Sequence, residues 1–227
     1  MSENWPEAYK KGYQDFYGRD FLVSPDVLIP RPETETIIDK VKLLAGQSYL
    51  PGIKAPARSL PENPLILDVG TGSSCVAVTL KLEIPEAEVI GLDISSKALH
   101  IARENAEKLG ANVDFVQSDL LTNYHGRTPD VIVANLPYVD RDWEWLDKEA
   151  LDAEPELALY APDRGLSLIF KLIKQVKMLW KNSKDKKWLI LEADPCQHEE
   201  IIKYATERGI SHVKTSGFIL TLCRLLE

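Results

Sequence analysis

From residue 65 onward the chain alternates short apolar runs with stretches of helical periodicity. Leu65–Val69, Glu88–Leu92, Val113–Gln117, Asp130–Ala134 and Trp188–Glu192 are short, rich in aliphatic residues and bounded by turn formers, the mark of buried strands. Between and after them apolar residues recur at helical spacing over 73–83, 96–109, 166–181 and 197–208, with Pro85, Gly110 and Gly209 as stops. Ser211–Thr215 and Phe218–Cys223 form a last strand pair around Gly217. Strand–helix alternation predicts an α/β fold with a doubly wound, mostly parallel seven-stranded sheet. Closing on two consecutive strands predicts a hairpin and therefore one antiparallel member.

The first 64 residues follow another pattern. Residues 1–20 are polar and aromatic (Trp5, Tyr9, Tyr13, Phe16, Tyr17) and read as a short N-terminal arm or helix. Residues 21–64 form a second segment. In it Phe21-Leu22-Val23 and Val27-Leu28-Ile29 are extended, broken by Pro25 and closed by Pro30 and Pro32. A helix near 33–45 follows from Ile37, Ile38, Val41, Leu44 and Ala45, with Gly46 as its stop. Pro51, Gly52, Pro56 and Pro61 then mark a surface connection, and 65–227 is the core.

Composition narrows the function classes. A chain of 227 residues, 44% hydrophobic and 27% charged, has ample material for one large soluble domain. Cys75, Cys196 and Cys223 form neither a CxxC nor a Cys/His cluster, so no metal site is expected. No run approaches a membrane span, and Met1–Pro6 lacks the basic and apolar regions of a secretory signal, so a cytoplasmic protein is expected. The net charge of −8 disfavours attraction to phosphate backbones. Residues 140–156 hold eight acids against Arg141 and Lys148, a rim that argues against nucleic acid as the direct substrate.

The candidate chemistry sits at strand ends. Asp68-Val69-Gly70-Thr71-Gly72-Ser73-Ser74 closes the first core strand with a glycine turn, where backbone approaches a ligand closely. It lacks the third glycine of a dinucleotide fingerprint, because Cys75 stands there. Asp68 offers a carboxylate to an amino group or a bound water. Asp93, ending the second strand, can accept from two ribose hydroxyls, which serves NAD as well as S-adenosylmethionine. Asp119, after the third strand, can accept from an adenine amino group or serve as a plain turn residue. Asn135-Leu136-Pro137-Tyr138 follows the fourth strand. The Asn135 side-chain oxygen and the Leu136 carbonyl can accept both hydrogens of an NH2 group, Pro137 fixes the turn and Tyr138 can stack on a flat substrate. The plain alternative is a strand-ending turn.

The seven-strand pattern resembles Rossmann-like S-adenosylmethionine-dependent methyltransferases, whose strand order is 3-2-1-4-5-7-6. Phe21–Glu35 (FLVSPDVLIPRPETE), with its Arg31-Pro32-Glu33-Thr34-Glu35 signature, the glycine turn, Asp93 and Asn135–Tyr138 together resemble the HemK-type release factor glutamine methyltransferases. Glu154-Pro155, Ala158-Leu159, Asp163–Leu166 and Leu191-Glu192 before Gln197 match further patterns of that family. The resemblance covers roughly 21–224. It implies methyl transfer from S-adenosyl-L-methionine, giving S-adenosyl-L-homocysteine, to the Gly-Gly-Gln glutamine amide of peptide chain release factors. It also implies a cofactor site at Asp68, Gly70, Thr71, Gly72, Ser73, Ser74, Asp93, Ile94, Asp119, Leu120 and Asn135. Asn135, Leu136, Pro137 and Tyr138 would be the catalytic acceptor motif, with Arg31, Pro32, Glu33 and Thr34 on the substrate side. The family usually has Asn-Pro-Pro-Tyr. Leu136 replaces its first proline, and Asn-Leu-Pro-Tyr also resembles the motif of ribosomal RNA adenine dimethyltransferases. Leu120 and Ser74 are further departures. Family members carry a helical domain that docks the release factor, and about 20 residues precede the core in this sequence. The alternatives are an adenine amino-group methyltransferase acting on RNA or DNA, and a non-catalytic adenosyl-cofactor-binding module. An NAD-dependent reductase has no use for Asn135–Tyr138.

Overall fold

The computed structural model describes residues 5–47, 56–146 and 151–224. Its main sheet has seven strands: β3 (Leu65–Val69), β4 (Glu88–Asp93), β5 (Asp114–Gln117), β6 (Val131–Ala134), β7 (Lys187–Glu192), β8 (Ser211–Ser216) and β9 (Ile219–Arg224). They lie in the order β5-β4-β3-β6-β7-β9-β8, which is 3-2-1-4-5-7-6 counted from β3, as expected. β5 through β7 pair in parallel, and β9 pairs antiparallel with both β7 and β8. The continuous apolar runs have their cause here: β3, β6 and β7 are central and buried on both faces along their whole length.

Helices cover both faces. α2 (Glu35–Leu44) and α3 (Cys75–Glu83) join one core cluster through Ile37, Ile38, Val41, Val76, Val78 and Leu80. α6 (Ser167–Leu179) and α7 (His198–Thr206) join the other through Ile169, Leu172, Ile173, Val176, Ile201 and Ala205. α4 (Ser96–Leu109) is capped by the Ser95 hydroxyl, which accepts from the Ala98 N–H, and ends at Gly110 with a left-handed φ of 69°. The short α5 is Glu156–Leu159. Among the described residues no helix is long and apolar enough to cross a membrane, and no cluster of three or more metal-ligating side chains occurs.

The N-terminal part holds more structure than its periodicity shows. α1 (Glu7–Lys11) leads into a hairpin of β1 (Tyr13–Phe16) and β2 (Arg19–Leu22), so β2 runs across the 20/21 boundary drawn from the sequence. Four-residue strand arms of this kind carry little period-two signal, and the turn at Tyr17-Gly18 is a short one. Residues 27–29 join no ladder. Val27 donates back to the Ser24 carbonyl, and the Ile29 N–H goes to a side chain, Glu154. Pro51 and Gly52 of the surface connection lie outside the described residues.

Candidate functional site

A cavity of about 280 Å³ opens at the carboxyl ends of β3, β4, β5 and β6, the place where an open α/β sheet binds its ligand. The segment Pro25–Leu28 and Arg31 line it from the N-terminal side. α1 steadies that segment, because the Tyr9 hydroxyl donates to the Val27 carbonyl at 2.6 Å. A second cavity of about 220 Å³ shares Leu28, Arg31, Asn135, Leu136 and Ala158 with the first. Tyr138, Glu192, Trp143 and Trp145 also line it, and the two indoles stack at 5.1 Å.

At the first end the glycine turn and the strand-end acids are held by backbone. The Gly70 and Thr71 N–H groups both donate to the Leu92 carbonyl, at 2.8 and 2.9 Å. Gly70 has φ 77°, and a Cβ there would meet the Leu136 side chain at 3.0 Å, so glycine lets the two turns touch. Each Asp93 carboxylate oxygen accepts one backbone N–H at 2.9 Å, from Gly72 and from Ser95. A carboxylate oxygen has a second lone pair, so the pair retains capacity for two hydroxyl donors. Burial pushes Asp93 above the ordinary carboxylate range despite those donors. Asp68 is fully enclosed. Burial raises it to about 7, against the Thr71 hydroxyl at 2.6 Å and the Ala77 N–H at 3.2 Å, which favour its charge.

Ile94 is half exposed into the cavity, and Leu120 and Leu168 add apolar surface. A flat heterocycle above Asp93 fits this lining. Asp119 also lines the cavity but is ion-paired to Lys171 of α6, so an adenine amino group would compete with a lysine for it. Ser74 is a correction. It is wholly buried, lines neither cavity, and its hydroxyl has no hydrogen-bond partner among the described residues. Its left-handed φ of 66° at the start of α3 turns the side chain inward. Gly70, Thr71, Gly72 and Ser73 do line the cavity.

At the other end, side chains from distant segments hold Asn135. Its Nδ2 donates to the Thr34 hydroxyl at 3.0 Å, and Thr34 donates to Glu192 Oε2 at 2.7 Å. The Tyr138 hydroxyl donates to the other Glu192 oxygen at 3.3 Å. Burial raises Glu192, the Thr34 and Tyr138 donors lower it, Glu33 raises it, and Asn135 lowers it. No hydrogen bond among the described residues ends on Asn135 Oδ1 or on the Leu136 carbonyl, which leaves two acceptors side by side at the junction of the cavities. Pro137 lines the first cavity and Tyr138 the second.

Of the four predicted substrate-side residues, Arg31 and Thr34 line the cavity, whereas Pro32 and Glu33 are exposed and line neither one. Pro32 opens a 3₁₀ turn, Pro32–Thr34, that carries Thr34 inward and leaves positions 32 and 33 facing out. The acidic rim also changes. Glu154 is buried and ion-paired to Arg31, so it is no surface charge, whereas Glu156 stays exposed and pairs with Arg141. Asp147, Lys148 and Glu149 lie outside the described residues.

Residue-type reasoning assigned no role to three supports. Glu192 anchors Thr34 and Tyr138 from the end of β7. Gln197 donates to the Tyr138 carbonyl at 2.9 Å and to the Arg164 carbonyl at 2.8 Å. Gly165, at φ 81°, lies so close that a Cβ would stand 1.9 Å from the Tyr138 carbonyl oxygen. The signals available were Glu192 at a strand end and the Asp163-Arg164-Gly165 turn; neither position has a periodicity that reveals its partner.

A family model described as "Methyltransferase domain" matches residues 62–218. The release factor glutamine methyltransferase of Koribacter versatilis (strain Ellin345) is 44% identical over 197 residues, 84% of this chain and 65% of the relative. That of Bacillus subtilis (strain 168) is 37% identical over 217 residues, 88% of this chain and 72% of the relative. The chain spans between 59% and 65% of the length of three such relatives. Among solved structures, a methyltransferase from Pyrococcus furiosus superposes with a TM-score of 0.60 at 18% identity, covering 91% of this chain and 88% of that one. That likeness shows a shared fold. With its seven-stranded order, glycine turn, Asp93 and Asn135–Tyr138 at adjoining strand ends, and this level of identity, the chain belongs to the release factor glutamine methyltransferase family.

Proposed function

We propose that the chain transfers a methyl group from S-adenosylmethionine to the side-chain amide nitrogen of the Gly-Gly-Gln glutamine in peptide chain release factors, in the cytoplasm. One observation carries the reading: Asn135 and Leu136 line both cavities, and neither Asn135 Oδ1 nor the Leu136 carbonyl accepts a hydrogen bond among the described residues. Asp93 would hold ribose hydroxyls, Ile94 and Leu120 the adenine faces, and the Gly70–Ser73 turn with Asp68 the amino-acid end. Bound there, S-adenosylmethionine supplies an electrophilic methyl group.

The chain's own contribution is orientation. An amide nitrogen is a poor nucleophile, because its lone pair is shared with its carbonyl. Two acceptors that take both N–H hydrogens fix the amide plane and turn the nitrogen toward the first cavity. Positioning of this kind is worth several kcal/mol of a barrier. The same acceptors favour the positive charge that grows on nitrogen as its bond to carbon forms and the carbon–sulfur bond breaks. The nitrogen then releases a proton to solvent. Leu136 in place of the family's proline keeps the carbonyl, and its side chain packs on Gly70, so its contact with the glycine turn restrains the motif.

Incubation with methyl-labelled cofactor and either a release factor or RNA tests the reading. Label is expected in the release factor alone and is expected to vanish when the Gly-Gly-Gln glutamine is replaced. Label in RNA adenine would transfer the assignment to the alternative, and binding of cofactor without transfer to any acceptor would leave only a binding module.

A further inference from the structure

Asn135 can serve as an acceptor only if its amide is turned one way, because an unrestrained side chain presents its NH2 group as readily as its oxygen. We infer that Thr34 and Glu192 form a relay that sets this orientation: Glu192 accepts the hydrogen bond of the Thr34 hydroxyl, Thr34 is thereby left to accept from Asn135 Nδ2, and Oδ1 is turned to the cavity. Thr34 and Glu192 are positioning residues on this account, acting on the substrate only through Asn135.

The geometry leaves little choice. A threonine hydroxyl has one proton, and the 2.7 Å contact to a carboxylate oxygen commits it. The oxygen keeps lone pairs for Asn135, whose nitrogen, the only donor on that side chain, stands 3.0 Å away, and the same side chain reaches Glu192 as a weaker donor. Thr34 is 2% exposed and Glu192 likewise 2%, so solvent has little access to either side chain. The Tyr138 hydroxyl on the second Glu192 oxygen restrains the carboxylate and ties the far end of the acceptor motif to the same anchor. The three partners come from the turn before α2, the end of β7 and the end of β6, so the orientation is set only once all three segments are assembled.

The functional meaning of the relay rests on glutamine methylation, but the orientation itself is measurable without it. In the whole chain, the Asn135 side-chain NH2 resonances, identified by their loss in Asn135→Ala, report whether the nitrogen is hydrogen-bonded. Slow exchange with solvent is expected in the native protein and in Thr34→Ser, and fast exchange in Thr34→Val. Kinetics supply the second readout. Thr34→Val should lower kcat by about tenfold or more, the loss of one buried hydrogen bond and of a fixed amide. Its cofactor Kd should stay within about twofold, and Thr34→Ser should restore most of the rate. Glu192→Gln, which keeps a carbonyl acceptor for Thr34, should fall between the two. Unchanged NH2 exchange in Thr34→Val would overturn the relay whatever the substrate. So would equal loss of kcat in Thr34→Ser and Thr34→Val, because that would assign Thr34 a packing role. Intact exchange behaviour with no methylation of glutamine would instead overturn the proposed activity and leave the relay standing.

Discussion

The two ends of the site are built by opposite means. At the cofactor end, the contacts are local and mostly backbone: Gly70 and Thr71 on Leu92, Gly72 and Ser95 on Asp93, all between neighbouring strand ends. At the acceptor end, the contacts are side chains reaching across 101 residues from Thr34 to Asn135 and across 158 from Thr34 to Glu192. Backbone contacts are fixed by the sheet itself and tolerate change in the side chains above them. A side-chain network fails when any one member is lost. Cofactor binding should therefore survive most damage to the acceptor end, whereas turnover should not.

Loss of the central acceptor should separate the ends most widely. Asn135→Ala is expected to cut turnover by roughly 10²-fold or more with cofactor affinity little changed, by analogy with removal of one preorganised hydrogen-bonding group. Single-turnover kinetics at saturating cofactor, with calorimetric titration beside them, measure both. Near-native turnover would erase the distinction. The reciprocal variant, Asp93→Ala, removes the charged hydroxyl acceptor and should weaken cofactor binding by about 10–100-fold. Turnover at saturation should change far less. A comparable fall in both would mean that the halves are coupled.

Gly165→Ala probes the acceptor end without touching the cavity. The added Cβ must displace the Tyr138 carbonyl or the Gly165 turn, at a residue whose φ of 81° already disfavours a side chain. A loss of about 2 kcal/mol or more in stability is expected from denaturant unfolding. Methyl transfer should fall more than cofactor binding, because the displaced group belongs to the acceptor motif.

Acidity gives two smaller effects. Burial raises Glu192, with Glu33 adding to the rise and the Thr34, Tyr138 and Asn135 contacts opposing it. Activity should therefore fall on acidification at a pH above the ordinary carboxylate range of about 4.3, as protonation of Glu192 weakens the charge-assisted bond it accepts from Thr34. Glu192→Gln should flatten that limb of the kcat profile. Burial holds Asp68 at about 7 in the folded chain, against an ordinary value of 3.8. Its contribution to stability is fully present below the lower value and is lost as pH rises through about 7. Asp68→Asn should thus be more stable than the native chain at pH 8, by about 1–2 kcal/mol in thermal unfolding, and equal or less stable at pH 4.

The difference between the two ends also explains what could be read from residues in order. β3, β6 and β7 were legible because complete burial writes an unbroken apolar run, and the strand-end positions of Asp68, Asp93 and Asn135 followed from them. Local chemistry is visible in local sequence. Thr34 was placed on the substrate side through a resemblance, but its bond to Glu192 joins segments that no periodicity links. Ser74 reads as one more member of a polar turn, and only its complete burial, with a left-handed backbone, shows that it faces inward. Glu154 looked like one acid of a charged rim. The Arg31 guanidinium and the Ile29 N–H draw it into the interior instead.

The central claim is that the acceptor end positions a glutamine amide for methylation. Peptide mapping by mass spectrometry of a release factor incubated with the protein and S-adenosylmethionine tests it directly. The prediction is a gain of one methyl group on the Gly-Gly-Gln glutamine with the native chain and none with Asn135→Ala. A methyl group on another residue, or an equal yield from Asn135→Ala, would contradict it.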